Sequence, residues 1–414
     1  MRVVGIVAEY NPFHNGHLYQ IKYAKEKLNA DAVIVVMSGD FVQRGEPAIL
    51  DKYTRSKMAL INGVDLVLQM PVTASTASAE IFAKTGIAML LATGVVTNLV
   101  FGCEEENETV FYEVAKLLAD ESDEFKDALS EALKAGDSFA KARATAILKT
   151  YKGSYPKERL EAFLNGSNNI LGIEYTKALL ENGADIPIHP IKRYGTHHDS
   201  LHPTEKYASA TLLRKSMITK EDVSDMVSRY VPQNCLAEIV LAVDNGCFLE
   251  ANDISLLLHE GLIFGTEEAE IADITKDLWD RILNHRNEFV SYTEFCDLLK
   301  TKNMNHSRIR RALIHLVLHI TEKDMQGLKD CGYLPYVRVL GFNETGARLL
   351  KEIKANTKVP LFVSPSEVKN SLSGVALNLW KKDLYAADLY RILLTSKTGR
   401  TFPTEFTYRF EKTE

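Results

Sequence analysis

Apolar positions in the first hundred residues fall into short uninterrupted runs, separated by stretches of helical period. Residues 2–8, 32–37, 64–70 and 99–102 are apolar almost throughout and rich in Val and Ile, a pattern that predicts strands covered on both faces. Between the first two runs, Leu18, Ile21, Ala24 and Leu28 recur near every third or fourth position and predict an amphipathic helix over 16–28. Residues 54–61 predict another. Strands and helices that alternate in this way build an α/β fold with a Rossmann-like parallel sheet, and ligands of such sheets sit beyond the carboxyl ends of the strands.

Past Gly102 the rhythm changes. Residues 110–149 read as helical, within an insertion at about 105–165, and Asp and Glu crowd 104–108 and 120–127 as a solvated helical surface would. A helix at 169–180, a strand at 186–191 and a helix beginning in 209–217 restore the α/β pattern, so a first domain is expected over 1–220. Amphipathic helices at 277–285, 292–299 and 307–320 predict a helical domain over 221–330, and strand and helix signals at 336–342, 346–353, 360–363 and 383–394 predict a small α/β segment over 331–414.

Size and composition narrow the function classes. A chain of 414 residues with 46% hydrophobic residues can bury two or three cores. A formal charge of −6 argues against coating nucleic acid through bulk charge, so any RNA contact must come from a local basic patch. The five cysteines, Cys103, Cys235, Cys247, Cys296 and Cys331, show no CxxC spacing and suggest reduced cytosol rather than a zinc ribbon or disulfide framework. Met1 leads directly into a strand, and no apolar run reaches membrane-spanning length; a soluble cytoplasmic protein without membrane or DNA partners is expected.

The densest chemistry lies in Glu9-Tyr10-Asn11-Pro12-Phe13-His14-Asn15-Gly16-His17, between the first strand and the first helix. Two histidines at a helix start, with glycine between them, can converge on a phosphate while main-chain N–H groups and the helix dipole hold its charge. Gly16 permits close approach and Pro12 stiffens the turn. Attack on the α-phosphate of ATP chiefly requires charge neutralisation and in-line placement, work to which His14 and His17 are suited. The bland alternative is that they only cap the helix. Ser209-Ala210-Thr211-Leu212-Leu213-Arg214-Lys215 adds hydroxyls that can cap a helix and contact phosphate, with Arg214 suited to the pyrophosphate leaving group.

The HxGH element resembles the signature of the nucleotidyltransferase superfamily related to class I aminoacyl-tRNA synthetases, and 209–215 is similar to its second signature. Three longer stretches, Gly5 through Leu18, Ser38 through Pro47 and Asn168 through Tyr175, resemble the tRNA(Met) cytidine acetate ligase family. That resemblance implies ATP-dependent activation of acetate and acetylation of the wobble cytidine of elongator tRNA(Met) to 4-acetylcytidine. It also implies that the stretch Val7, Ala8, Glu9, Tyr10, Asn11, Pro12, Phe13, His14, Asn15, Gly16, His17, Leu18, Tyr19 and Gln20 surrounds ATP. Further contacts would come from Gly102, from one Asn of Asn168-Asn169, with Asn169 preferred, and from Arg193.

Other features stay open at this level. Asp40 could position an acceptor or metal and Arg44 attract a carboxylate or RNA phosphate, or the two could pair with each other. Lys52, Arg55 and Lys57 could face RNA or solvent. His197-His198-Asp199 lacks a partner at zinc spacing and reads as a loop. No protein metal ligand is expected, magnesium being carried by ATP. Within Asn305 to His315, Ile309 and Leu313 can pack inward while Arg308 and Arg311 form a basic ridge for tRNA phosphates; Lys351, Lys354 and Lys358 offer a second patch. A small-molecule adenylyltransferase and a noncatalytic RNA-binding module are the competing readings.

Overall fold

A computed structural model describes residues 1–193, 206–220, 223–264, 270–302 and 304–408. Nine strands are present among them: β1 Val3–Ala8, β2 Ala32–Ser38, β3 Phe41–Val42, β4 Glu46–Pro47, β5 Leu66–Met70, β6 Asn98–Cys103, β7 Ile188–Lys192, β8 Val337–Phe342 and β9 Leu361–Phe362. Seven form one sheet in the order β7-β6-β1-β2-β5-β8-β9, and β3 with β4 makes a small hairpin after β2. The five strands from β7 to β5 run parallel. Against them β8 runs antiparallel to β5, with β9 parallel to β8, so the 331–414 segment completes the sheet of the first domain.

Register explains where the site falls. Val3 to Ala8 pair in step with Ala32 to Met37, so β1 and β2 end together and their following loops share one edge. The apolar residues of β1 alternate between two cores. Val4 and Ile6 pack with Ile21, Leu213 and Met217 on one face; Val7 packs with Phe82, Phe101, Ile173 and Tyr175 on the other. Helices on both faces account for the continuous hydrophobicity of these strands.

The helical region covers the same edge. Its core of Leu258, Leu278, Ile282, Phe295 and Leu313 also takes in Phe41, Val72 and Ala77 from the loops after β2 and β5. Gly45 shows how close this approach is. Its φ is +76°, and a Cβ there would lie 2.5 Å from the main-chain carbon and oxygen of Arg310, so both conformation and space require glycine. The last helix, Gly374–Thr398, spans two cores: Leu379 and Trp380 join the sheet core, and Leu389, Tyr390 and Leu393 the helical one.

Two basic residues that the sequence left between RNA and solvent are buried. Lys52 is 2% exposed and Arg55 fully buried; the helix Lys52–Leu60 turns them inward. Lys52 pairs with Asp40 at 3.2 Å and Glu405 at 2.8 Å, and Arg338 pairs with Glu405 at 3.2 Å. Burial pushes the Asp40 carboxyl upward against the pull of Lys52. For Glu405, burial is outweighed by Lys52 and Arg338, which hold its carboxyl below the usual range. Asp40 therefore anchors a buried ion network and does not face an acceptor, nor does it pair with Arg44 alone. Lys57 remains partly exposed, 2.7 Å from Glu238.

Candidate active site

The helix Asn15–Lys22 follows β1 after the loop Glu9 to His14, and His14 is its N-cap. Gly16 N–H donates to His14 Nδ1 at 3.0 Å, and His14 N–H donates to His17 Nδ1 at 3.2 Å. The two rings stack with centroids 3.7 Å apart and planes 17° apart. A Cβ at Gly16 would fall 2.9 Å from His14 Cε1, so glycine is what allows the ring to fold over the first turn. Because both Nδ1 atoms accept main-chain hydrogens, each neutral ring carries its proton on Nε2. Capping thus occupies Nδ1 of each ring, so the cap that the sequence set against phosphate recognition does not by itself exclude it.

A second helix start faces the first. Ser209 Oγ caps the helix Ala210–Thr219 by accepting from Leu212 N–H at 3.1 Å. Arg214, one turn in, donates to Asn11 O at 2.8 Å and to Thr211 Oγ1 at 3.3 Å. Its Nε lies 3.9 Å from Glu46, whose other oxygen is 3.2 Å from Arg310 Nη1. One carboxylate therefore links the cleft to the helical region. Tyr10, with φ +50°, sets its ring edge-on to His17 at 4.8 Å, and the Asn11–Pro12 peptide is cis.

These elements enclose a cleft of about 210 Å³. Val7, Ala8, Glu9, Tyr10, Asn11, His14, Gly16, His17, Tyr19, Gln20, Gly102, Arg193 and Arg214 line it. Pro12, Phe13, Asn15, Leu18, Asn169, Ser209 and Thr211 are absent from its wall. Phe13 is fully buried in the core, Leu18 packs against it, and the Asn15 amide donates to the Arg229 and Lys206 carbonyls. At Gly102 a Cβ would meet only Arg193, at 3.5 Å. Packing among the described residues does not demand glycine there.

The preferred asparagine is the wrong one of its pair for contact with the cleft. Asn169 is 1% exposed; its Oδ1 accepts from Glu104 N–H at 2.9 Å and its amide donates to Phe163 O at 3.0 Å. Asn168 lines the cleft and accepts from Arg193 Nη1 at 3.0 Å. Helical period accounts for the difference: Asn168, Leu171 and Tyr175, spaced i, i+3 and i+7, present one face of the helix Ser167–Glu181 to the cleft. The same spacing could have revealed Leu171 and Tyr175. Phe82 and Phe101, also on the wall, carried no signal beyond ordinary core hydrophobicity. Asn169→Ala is expected to lower stability by about 1–3 kcal/mol through unsatisfied buried groups, whereas Asn168→Ala should mainly raise the KM for ATP. Thermal melts beside initial-rate kinetics separate the two.

The expected basic ridge is only partly open. On the helix His306–Val317, Arg311 is 17% exposed and lies 3.4 Å from Asp273, so its charge is spent inside the helical region. Arg308 is part-exposed and reaches Thr275 Oγ1 at 3.4 Å. Lys351, Lys354 and Lys358 are exposed. His197-His198-Asp199 lies outside the described residues. Among the described residues no group of three His, Cys, Asp or Glu is placed to hold a metal ion, and no helix is long and apolar enough to cross a membrane.

The HIGH Nucleotidyl Transferase family model matches residues 1–404. A tRNA(Met) cytidine acetate ligase of Thermoanaerobacter sp. is 37% identical over 397 residues, covering 95% of each chain. The chain belongs to the tRNA(Met) cytidine acetate ligase family. The crystal structure of Thermotoga maritima TmcAL without ligand superposes with a TM-score of 0.90 at 32% identity, over 95% of both chains. That of TmcAL bound with alpha-thio ATP gives 0.86 at 33%, also over 95% of both. The architecture described here is therefore shared with that ligase over 95% of both chains.

Proposed function

We propose that the chain is an ATP-dependent ligase that converts acetate to acetyl-adenylate and transfers the acetyl group to the wobble cytidine of elongator tRNA(Met). The products are 4-acetylcytidine, AMP and pyrophosphate. The observation that carries the chemistry is the paired histidine cap: both Nδ1 atoms are committed to the helix start, which fixes the orientation of two Nε2–H donors beside the cleft.

In the first step an acetate oxygen attacks the α-phosphorus and the bond to the β-phosphate oxygen breaks. Negative charge on the phosphoryl oxygens is met by His14, His17 and the main-chain N–H groups of the helix start. Arg214, held by Asn11 O and Thr211, receives the departing pyrophosphate. Asn168 and Arg193, bonded to each other at 3.0 Å, and the open space at Gly102 suit the nucleoside end. In the second step the exocyclic amine of cytidine attacks the acetyl carbonyl carbon, loses a proton and releases AMP. Magnesium enters with the triphosphate, where it shields charge while held largely by phosphate oxygens and water.

The test is incubation of the purified protein with ATP, magnesium, radiolabelled acetate and elongator tRNA(Met), followed by digestion of the RNA to nucleosides. Labelled 4-acetylcytidine that depends on ATP is expected. Pyrophosphate release with another acceptor and no labelled RNA would favour a small-molecule adenylyltransferase. If neither product forms, a noncatalytic RNA-binding role takes its place.

A further inference from the structure

The cleft has two chemically different ends. The helix starts, His14, His17 and Arg214 lie with the core face that contains Ile21 and Leu213. Across the ends of β1 and β6, the opposite wall is built from Phe82, Phe101 and Tyr175, which belong to the core on the other sheet face. Gln43 and Arg44, from the turn between β3 and β4, also line the cleft, and Gln43 N–H donates to Glu9, whose charge reaches Tyr175 at this end.

Three features suit it to a small carboxylate. First, the aromatic wall is rigid. A Cβ at Gly172 would lie 2.5 Å from Phe101 Cε2, and one at Gly86 would lie 2.8 Å from both Val7 Cγ atoms. The helices carrying Tyr175 and Phe82 are thus pressed onto the strands at glycine contacts. Phe101 is further fixed between Phe111 at 5.2 Å and Tyr175 at 5.8 Å, centroid to centroid. Second, donors gather here: Gln43 lines this end of the cleft and its Nε2 is buried without a hydrogen-bond partner among the described residues, and Arg44 adds a cation. Third, the carboxylate already present is engaged, since Glu9 Oε1 accepts from Gln43 N–H at 2.9 Å. Burial, followed by the charge of Glu9, raises the Tyr175 phenol well above its ordinary range, so it remains an O–H donor.

In-line displacement selects between the ends. If the α-phosphate rests on the histidine cap and the pyrophosphate leaves toward Arg214, the attacking oxygen must come from the other side. We infer that the Gln43–Arg44–Phe82–Phe101–Tyr175 end of the cleft is the acyl subsite, taking a short monocarboxylate with its oxygens toward Gln43 and Arg44 and its alkyl end against the aromatic wall. This rests on the ligase reading above. The rigid wall then limits acyl length, and acetate is favoured because each added methylene must displace a ring that cannot retreat.

The test uses the full chain and carboxylate-dependent exchange of labelled pyrophosphate into ATP, with acetate, propionate and butyrate as substrates. Phe82→Ala is expected to shift the kcat/KM ratio of propionate to acetate upward by about tenfold or more. Gln43→Ala should raise the KM for acetate by about tenfold, with that for ATP within about twofold. A raised KM for ATP with unchanged acyl preference would place the adenine base on this wall and overturn the inference. So would unchanged kinetics in Gln43→Ala, which alters no core packing and serves if Phe82→Ala does not fold. Absence of acetate-dependent exchange in the unsubstituted chain removes the ligase reading itself, and the subsite with it.

Discussion

Replacing His14 with Asn, or His17 with Gln, is expected to lower adenylation by about 10²–10³-fold, the scale of losing one preorganised donor to a developing charge. The melting temperature should stay within about 3 °C of the unsubstituted chain. The choice of residues isolates the chemistry. Asn is among the best N-caps, and Gln at the third helical position can reach back to the cap N–H as His17 does. Each variant therefore keeps the hydrogen bond made by Nδ1 and loses the Nε2–H donor. Alanine would remove both and confuse them, at a stability cost of about 1 kcal/mol for the cap alone. Acetate-dependent pyrophosphate exchange and thermal melts, measured on the same preparations, give the two readouts. Full activity in both variants would reduce the histidine pair to a helix cap; equal loss of activity and stability would make it structural.

The parallel sheet was legible because its strands are apolar on both faces, and the histidine cap because few local sequences place two imidazoles around a glycine at a helix start. What escaped the sequence was determined by contacts distant in the chain. Lys52 and Arg55 look like the solvated start of a helix, yet Lys52 meets Glu405, more than 350 residues later, at 2.8 Å. Arg311 has the spacing of an outward residue on an amphipathic helix, but Asp273 from another segment draws it into an ion pair. The strands β8 and β9 could be recognised as strands without any sign that they would extend the first sheet, since edge pairing is decided by main-chain groups. Asn168 and Asn169 differ only by the 100° turn between neighbouring helical residues, a distinction that helical period could have resolved.

Arg55→Met should destabilise the fold by about 3–5 kcal/mol, because several buried main-chain carbonyls lose their donor at about 1–3 kcal/mol each. Arg55 is fully buried. Its Nε donates to Leu50 O at 2.9 Å, Nη1 donates to Glu9 O at 2.6 Å and Ser38 O at 3.1 Å, and Nη2 donates to Gly39 O. One guanidinium thus ties the loop after β1 to the loop after β2, and these loops carry Glu9, Gln43 and Arg44 to the cleft. Methionine fills similar volume and leaves those carbonyls without their donor, so apolar packing cannot offset the loss. Arg55→Lys keeps the charge, but a single ammonium cannot span carbonyls from three segments as a planar fork does; it should recover less than half of the lost stability. Urea denaturation measures both. Pyrophosphate exchange, assayed well below each variant's transition, should show a reduced rate even where the chain is folded, because the β1 and β2 loops are no longer fixed to each other. Normal exchange in folded Arg55→Met would mean that the helical region alone, through contacts such as that of Gly45 with Arg310, suffices to hold the cleft in place.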